Sequence, residues 1–235
     1  MSASASRLLL ALASTILVGA AATAIASPAA AAPVAVPKIS FLYPAPHGTI
    51  FDRVCKAWIK QDTNPADVTE LLARKAEFEA AWATTGREYM RLALAAAGRP
   101  FPYSEMQATL SVCAPDSMAF PLIIRMNDFL ASNREYYVHD FALLAFHEVM
   151  HHYAQAIEAK SAIFAKYAAE PFSIRAHIHV VAFERYVLER TGRTEQLAKL
   201  RDYYTGRDVD HYRRAWEIVD KETVAAVVAD AGIQP

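Results

Sequence analysis

Glycine is scarce, with seven in 235 residues, and no internal repeat is present. That leaves little room for glycine-rich loops or stacked modules, and abundant alanine and leucine point to one helix-rich domain. A surplus of one charge is also missing: 24 basic residues face 25 acidic ones, for a net charge of -1. Without a basic stripe or tail to track phosphates, nucleic acid is not an expected partner. Cysteine is limited to Cys55 and Cys113. An oxidising compartment would permit them to pair, and sequence leaves open whether they do.

The amino end lacks charge almost entirely. Arg7 is the only charged residue before Lys38, and it precedes the apolar run Leu8 to Ala22 and then the small-residue stretch TAIASPAAAAP. A short basic start, an apolar centre and an Ala-x-Ala site predict a secretory signal peptide over residues 1–26, cleaved after Ala26. Ala32 is a second site, disfavoured because Pro33 would follow the cut. An uncleaved anchor competes with this reading, although the run lies near the lower limit for spanning a bilayer. No cysteine lies near either cut, which argues against a lipid anchor. The expectation is therefore a single domain over 27–235, exported across the inner membrane to the periplasm or beyond. It would have no membrane association after cleavage, and its oligomeric state is left open.

Breakers are missing from long stretches. From Asn64-Pro65 to Ala97 there is no further proline and one glycine, Gly86, so a helix is expected to start at Pro65 and stop at Gly98. Between Pro100 and Pro121 the chain turns to short pieces, with strand candidates at 106–112 (MQATLSV) and 121–126 (PLIIRM). Asp140 is placed to cap the next helix. Later helices are expected over Pro171 to Arg190, 194–204 and 209–230, the last with a break near Asp220. The fold class is α+β, predominantly helical, with a small sheet ahead of the helix that Asp140 caps.

That helix carries LLAFHEVMHHYAQ, residues 143–155, in which His147, Glu148, His151 and His152 interrupt an apolar frame. Residues four apart share a helix face, so His147 and His151 project together and offer two of four tetrahedral positions around Zn2+. Glu148 sits to the side, where it can reach a water held by the ion without ligating. The five residues His147-Glu148-Val149-Met150-His151 form an HExxH motif. Over these residues and their helical setting the chain resembles the zincin metallopeptidases. The resemblance implies a zincin-like fold in which the motif helix packs on an antiparallel helix. It also implies a zinc peptidase that hydrolyses peptide bonds by a zinc-activated water with Glu148 as general base.

What is absent narrows the branch. Ala154 and Ile157 stand where the extended HExxHxxGxxH pattern has glycine and histidine, against a metzincin. No second Glu-x-x-His exists to build a di-iron bundle site. A third zinc ligand is still required. Glu170 follows His151 at an aminopeptidase-like spacing, but the companion motifs of that family are missing. If the motif helix runs unbroken towards Ala168, Glu170 lies about 30 Å of helix rise from the pair. The returning helix then presents Glu184 at the level of the pair, which makes Glu184 the expected third ligand of a gluzincin-type site. If the helix breaks near Ser161, His177 or Glu170 comes within range. His177 and Glu184 share a face, so one could ligate while the other orients it. Tyr203, Tyr204, His211 and Tyr212 are candidates to stabilise an oxyanion, and His152 is offset from the ligand face. The competing expectation is a non-catalytic exported protein with a structural zinc site or an envelope interaction role. Glu148 speaks against it, because a structural site has no use for a base beside an open position.

Overall fold

The computed structural model describes residues 34–45, 48–60, 62–130, 139–206 and 210–232, all within one compact unit. The expected signal peptide lies outside these residues. Among those described, no helix is long and apolar enough to cross a membrane.

Three parallel strands, β1 (Lys38–Leu42), β2 (Glu105–Ser111) and β3 (Ile123–Arg125), form a sheet in the order β1-β2-β3. The register sets Lys38 opposite Glu105 and Thr109 opposite Ile123. β3 falls within the expected 121–126 segment, and β2 overlaps the expected 106–112 segment, starting one residue earlier at Glu105. β1 was not expected, yet KISFL alternates exposed and buried along its length, the period-2 pattern of a half-covered strand.

Helices α1 (Ile50–Ile59), α2 (Pro65–Ala81) and α3 (Arg87–Ala97) connect β1 to β2, with a π-helical turn over Trp82–Gly86 between α2 and α3. Helical structure therefore runs from Pro65 to Ala97 and stops at Gly98, whose φ of 66° is left-handed, as the sequence predicts. Gly86 sits inside this run for a steric reason. A Cβ there would lie 2.2 Å from the indole of the buried Trp82.

The β2–β3 connection, residues 112–122, is anchored from two sides. Asp52 completes a capping box with Thr49 at the start of α1, and it also accepts hydrogen bonds from the Val112 amide (2.9 Å) and the Ser111 hydroxyl (3.1 Å). Cys55 and Cys113 are disulfide-bonded, with their Cα atoms 5.6 Å apart. Sequence had left that pairing open.

The remaining helices are α4 (Phe141–Ile157), α5 (Ala162–Lys166), α6 (Phe172–Arg190), α7 (Thr194–Gly206), α8 (Asp210–Glu222) and α9 (Val224–Asp230). Asp140 caps α4, accepting from the Leu143 amide at 2.7 Å. Every residue from Phe141 to Met150 is buried, so this part of α4 is covered on all sides. A short 3-10 turn over Glu158–Lys160 ends it, and Ser161 caps α5. The unbroken helix towards Ala168 is therefore not formed. The chain changes direction at Ser161, where the serine side chain satisfies the Phe164 amide. The expected break in the last helical segment falls at Thr223, with φ of 73°, rather than at Asp220. α6 packs on α4 and α8, and its Ile178 to Glu184 stretch is buried throughout. The chain is thus mostly helical with one small parallel sheet, an α+β arrangement.

Candidate metal centre

Three helices meet where α4 carries its histidines. His147 and His151, one turn apart, face each other through Nε2 at 3.2 Å. A tetrahedral zinc held about 2.0–2.1 Å from each ligand sets neighbouring nitrogens about 3.3 Å apart, so the pair already has the spacing of two such positions. His177, from α6, brings its ring to 4.7 Å from His151 and 5.5 Å from His147, centroid to centroid. One ring nitrogen from each of the three lies within 4.8 Å of the other two, so the group could hold a metal ion.

The nitrogens left over are committed elsewhere. Nδ1 of His177 donates to the Ser173 carbonyl at 2.6 Å, which leaves Nε2 as its free lone pair. Nδ1 of His147 lies 3.0 Å from Glu184 Oε1 and donates to that carboxylate, which likewise leaves Nε2 towards His151. Fixing the tautomer from the far side of the ring is how metal-binding imidazoles are held in place.

Glu184, the expected third ligand, is thus set behind His147, on the nitrogen opposite His151. Its carboxylate is fully buried and surrounded by donors. The Tyr204 hydroxyl donates to Oε2 at 3.0 Å, and Nε2 of His139 lies 3.4 Å from Oε1. His139, His147 and Glu184 form a second group with donor atoms close enough for an ion. Both histidines approach Glu184 at hydrogen-bonding or nearly hydrogen-bonding distance, and the Tyr204 hydroxyl contacts all three, so hydrogen bonds account for the arrangement. Burial by itself would push the Glu184 pKa up, but the positive ends of His147 and His139 outweigh it and hold the carboxyl down at about 2.

Neutral imidazoles are the form that binds metal. Burial lowers the pKa of His151 well below its usual value and that of His177 to about 3, and the neighbouring histidines push both the same way. For His147 burial opposes protonation, but Glu184 outweighs it and raises the pKa.

Glu148 is 6% exposed, and among the described residues its carboxylate has no hydrogen-bond partner. Burial, with the nearby Asp116 and Glu184 carboxylates, pushes its pKa up to about 7 against the pull of His147. Tyr212, from α8, places its ring 4.5 Å from His177 and 5.9 Å from His147. Burial and the charges of Glu148 and Glu184 raise its pKa far above the usual value, so its hydroxyl keeps its proton and can donate. Tyr204 stacks on Tyr212 at 4.4 Å, but its hydroxyl is spent on Glu184, and Tyr203 packs beside His139. The His211 ring lies 4.9 Å from that of His177.

Two expected residues lie apart from the cluster. Glu170 pairs with Arg214 at 2.7 Å. His152 donates through Nε2 to the Ala119 carbonyl at 2.8 Å, which joins α4 to the β2–β3 connection. Sequence reasoning missed His139 and Asp116. His139 precedes the helix cap, outside any periodic pattern, and Asp116 is an exposed loop carboxylate, so neither carried a signal. Comparison with protein-family models, with curated proteins and with solved structures finds no match for this chain.

Proposed function

We propose that this protein is an exported zinc-dependent peptidase of zincin type, with His147, His151 and His177 as its metal ligands. The observation that carries the reading is the convergence of these three imidazoles, two of them oriented through Nδ1, beside the buried Glu148 carboxylate, which has no hydrogen-bond partner among the described residues. The donor set fits zinc: three imidazoles with ligand atoms close together, the His147–His151 pair at tetrahedral spacing, and the far nitrogens of His147 and His177 hydrogen-bonded. Glu184 moves from ligand to orienting group, anchoring His147 with support from Tyr204 and His139.

When bound, zinc would lower the pKa of water towards neutrality and polarise a carbonyl. The chain's own residues do the rest. Glu148, poised near pH 7, takes the proton from the attacking water and hands it to the departing amine. Tyr212, protonated and one ring away from His177, donates to the oxygen that gains charge. The Cys55–Cys113 disulfide supports an oxidising compartment, in keeping with an export signal over residues 1–26.

Elemental analysis of the purified protein should find one zinc per chain, and unstructured peptides should be cleaved. Glu148→Gln should keep the zinc and lose cleavage by about a hundredfold or more. Cleavage that survives this substitution would refute the assignment of the base.

A further inference from the structure

Away from the histidine cluster, one buried carboxylate gathers donors from two other elements. Asp230, at the end of α9, accepts from Nε2 of His179 on α6 at 2.9 Å, and from the Ser161 hydroxyl. It also accepts from the Ala162 and Ile163 amides that open α5, at 2.9 and 3.3 Å. Asp230, Ser161 and His179 are all buried, His179 completely. The His179 ring stacks on Phe164 of α5 at 5.0 Å, and its Nδ1 has no hydrogen-bond partner among the described residues. Asp230 thus ties together the corner at Ser161, where the chain turns from α4 into α5, the first half of α6, and α9.

Resting on the zinc reading above, we propose that Asp230 is a positioning residue for the metal centre, holding the first turns of α6 where His177 reaches the His147–His151 pair. Glu184 already fastens α6 to His147 of α4, at 3.0 Å. That anchor, however, lies seven residues beyond His177, about 10 Å of helix rise. With it alone, a tilt of about 6° would carry His177 about 1 Å, against the roughly 0.2 Å over which zinc–nitrogen distances vary. His179 supplies the second anchor. At about 100° per residue it lies about 200° round the helix from His177, so pinning it to Asp230 turns His177 the other way, towards α4. Arg175 also bridges α6 to Glu158, at 3.2 Å, but that pair is partly exposed and so holds less firmly. Ser161 matters for a related reason. The corner sets the level at which α6 returns, and Asp230 holds the corner through three donors. The last helix of the chain supplies no ligand, yet its docking completes the ligand set.

The test measures zinc affinity of the full chain by chelator competition, beside the urea midpoint of the metal-free protein. Asp230→Ala should bind zinc about tenfold or more weakly. His179→Leu, which keeps apolar bulk against Phe164 but donates nothing, should do the same. His179→Gln, whose amide nitrogen stands near the place of Nε2, should restore most of the affinity. Leu71→Ala, at a buried position in α2, should lower the urea midpoint at least as far as His179→Leu while leaving zinc affinity unchanged, which separates positioning from general stability. Should Asp230→Ala fail to fold, the two His179 variants decide. Wild-type affinity in His179→Leu, or an equal loss in His179→Gln, overturns the proposal. So does a loss of equal size in Leu71→Ala. Failure of the zinc reading would show separately, as a wild-type protein that takes up no zinc. The metal-free protein then decides through the nuclear Overhauser contact between the His151 and His177 rings, 4.7 Å apart. That contact should be lost in His179→Leu and kept in His179→Gln, and its persistence in His179→Leu rejects the positioning role.

Discussion

Separating a ligand from a group that orients a ligand needs a paired perturbation, and Glu184 and His177 provide it. Glu184→Gln keeps the shape of the side chain but offers one acceptor oxygen where the carboxylate has two. Three donors face it: His147 Nδ1 at 3.0 Å, the Tyr204 hydroxyl at 3.0 Å and His139 Nε2 at 3.4 Å. At least one donor must lose its acceptor and meet an amide N–H instead. Weakening two charge-assisted bonds and orphaning one buried group costs about 3 kcal/mol of stability in the metal-free protein. Zinc affinity should fall only about 10- to 100-fold, the usual effect of removing an outer partner of a ligating histidine. His177→Ala should do the reverse. His177 hydrogen-bonds the Ser173 carbonyl of its own helix and packs against neighbouring rings without joining the buried Glu184 network, so stability should fall less than in Glu184→Gln. Zinc affinity should drop by more than a hundredfold, because about 10–16 kcal/mol shared among four positions assigns about 3 kcal/mol to each. Urea denaturation of the metal-free variants and chelator competition for zinc read the two quantities independently. Wild-type affinity in His177→Ala, together with abolished binding in Glu184→Gln, would refute the ligand assignment and restore Glu184 to the metal.

Tyr212→Phe should lower kcat for peptide cleavage about tenfold or more while leaving KM and zinc content near wild type; an unchanged kcat would remove Tyr212 from the chemistry. Asp230 accepts from the Ser161 hydroxyl, the Ala162 and Ile163 amides and His179 Nε2, and these partners lower its pKa even though burial opposes them. Because the folded value lies below the unfolded one, the stability Asp230 contributes is present above about pH 4 and is lost as pH falls through the folded value. Asp230→Asn should therefore flatten the acid limb of a plot of urea midpoint against pH; an unchanged slope would mean the carboxylate is not ionised in the fold. Cys55→Ser with Cys113→Ser should cost about 4 kcal/mol, as expected for opening a loop of this length, measured by urea denaturation. Gly86→Ala should destabilise by about 1–3 kcal/mol despite alanine's better helix propensity, because its methyl group meets the Trp82 ring; a gain in melting temperature would contradict that contact.

Local chemistry made much of this protein legible from its residues alone. Breaker-free stretches and capping residues marked the Pro65–Ala97 helical run, the Asp140 cap and α6, because helix starts and stops depend on backbone hydrogen bonds that neighbouring residues satisfy. Spacing within a single helix set His147 and His151 side by side, since helical pitch is the same everywhere. Which residue from another helix joins that pair was a different problem, because it depends on where one helix ends and at what level the next returns. A 3-10 turn and the Ser161 cap shortened α4, and His177 then met the pair while Glu184 passed behind it to Nδ1 of His147. The same holds for the contacts of His139 and for the Cys55–Cys113 bond, each assembled from segments far apart in the chain. Local sequence determines which elements form and which residues share a face; only packing, through the burial and hydrogen bonding of the whole core, decides which faces meet.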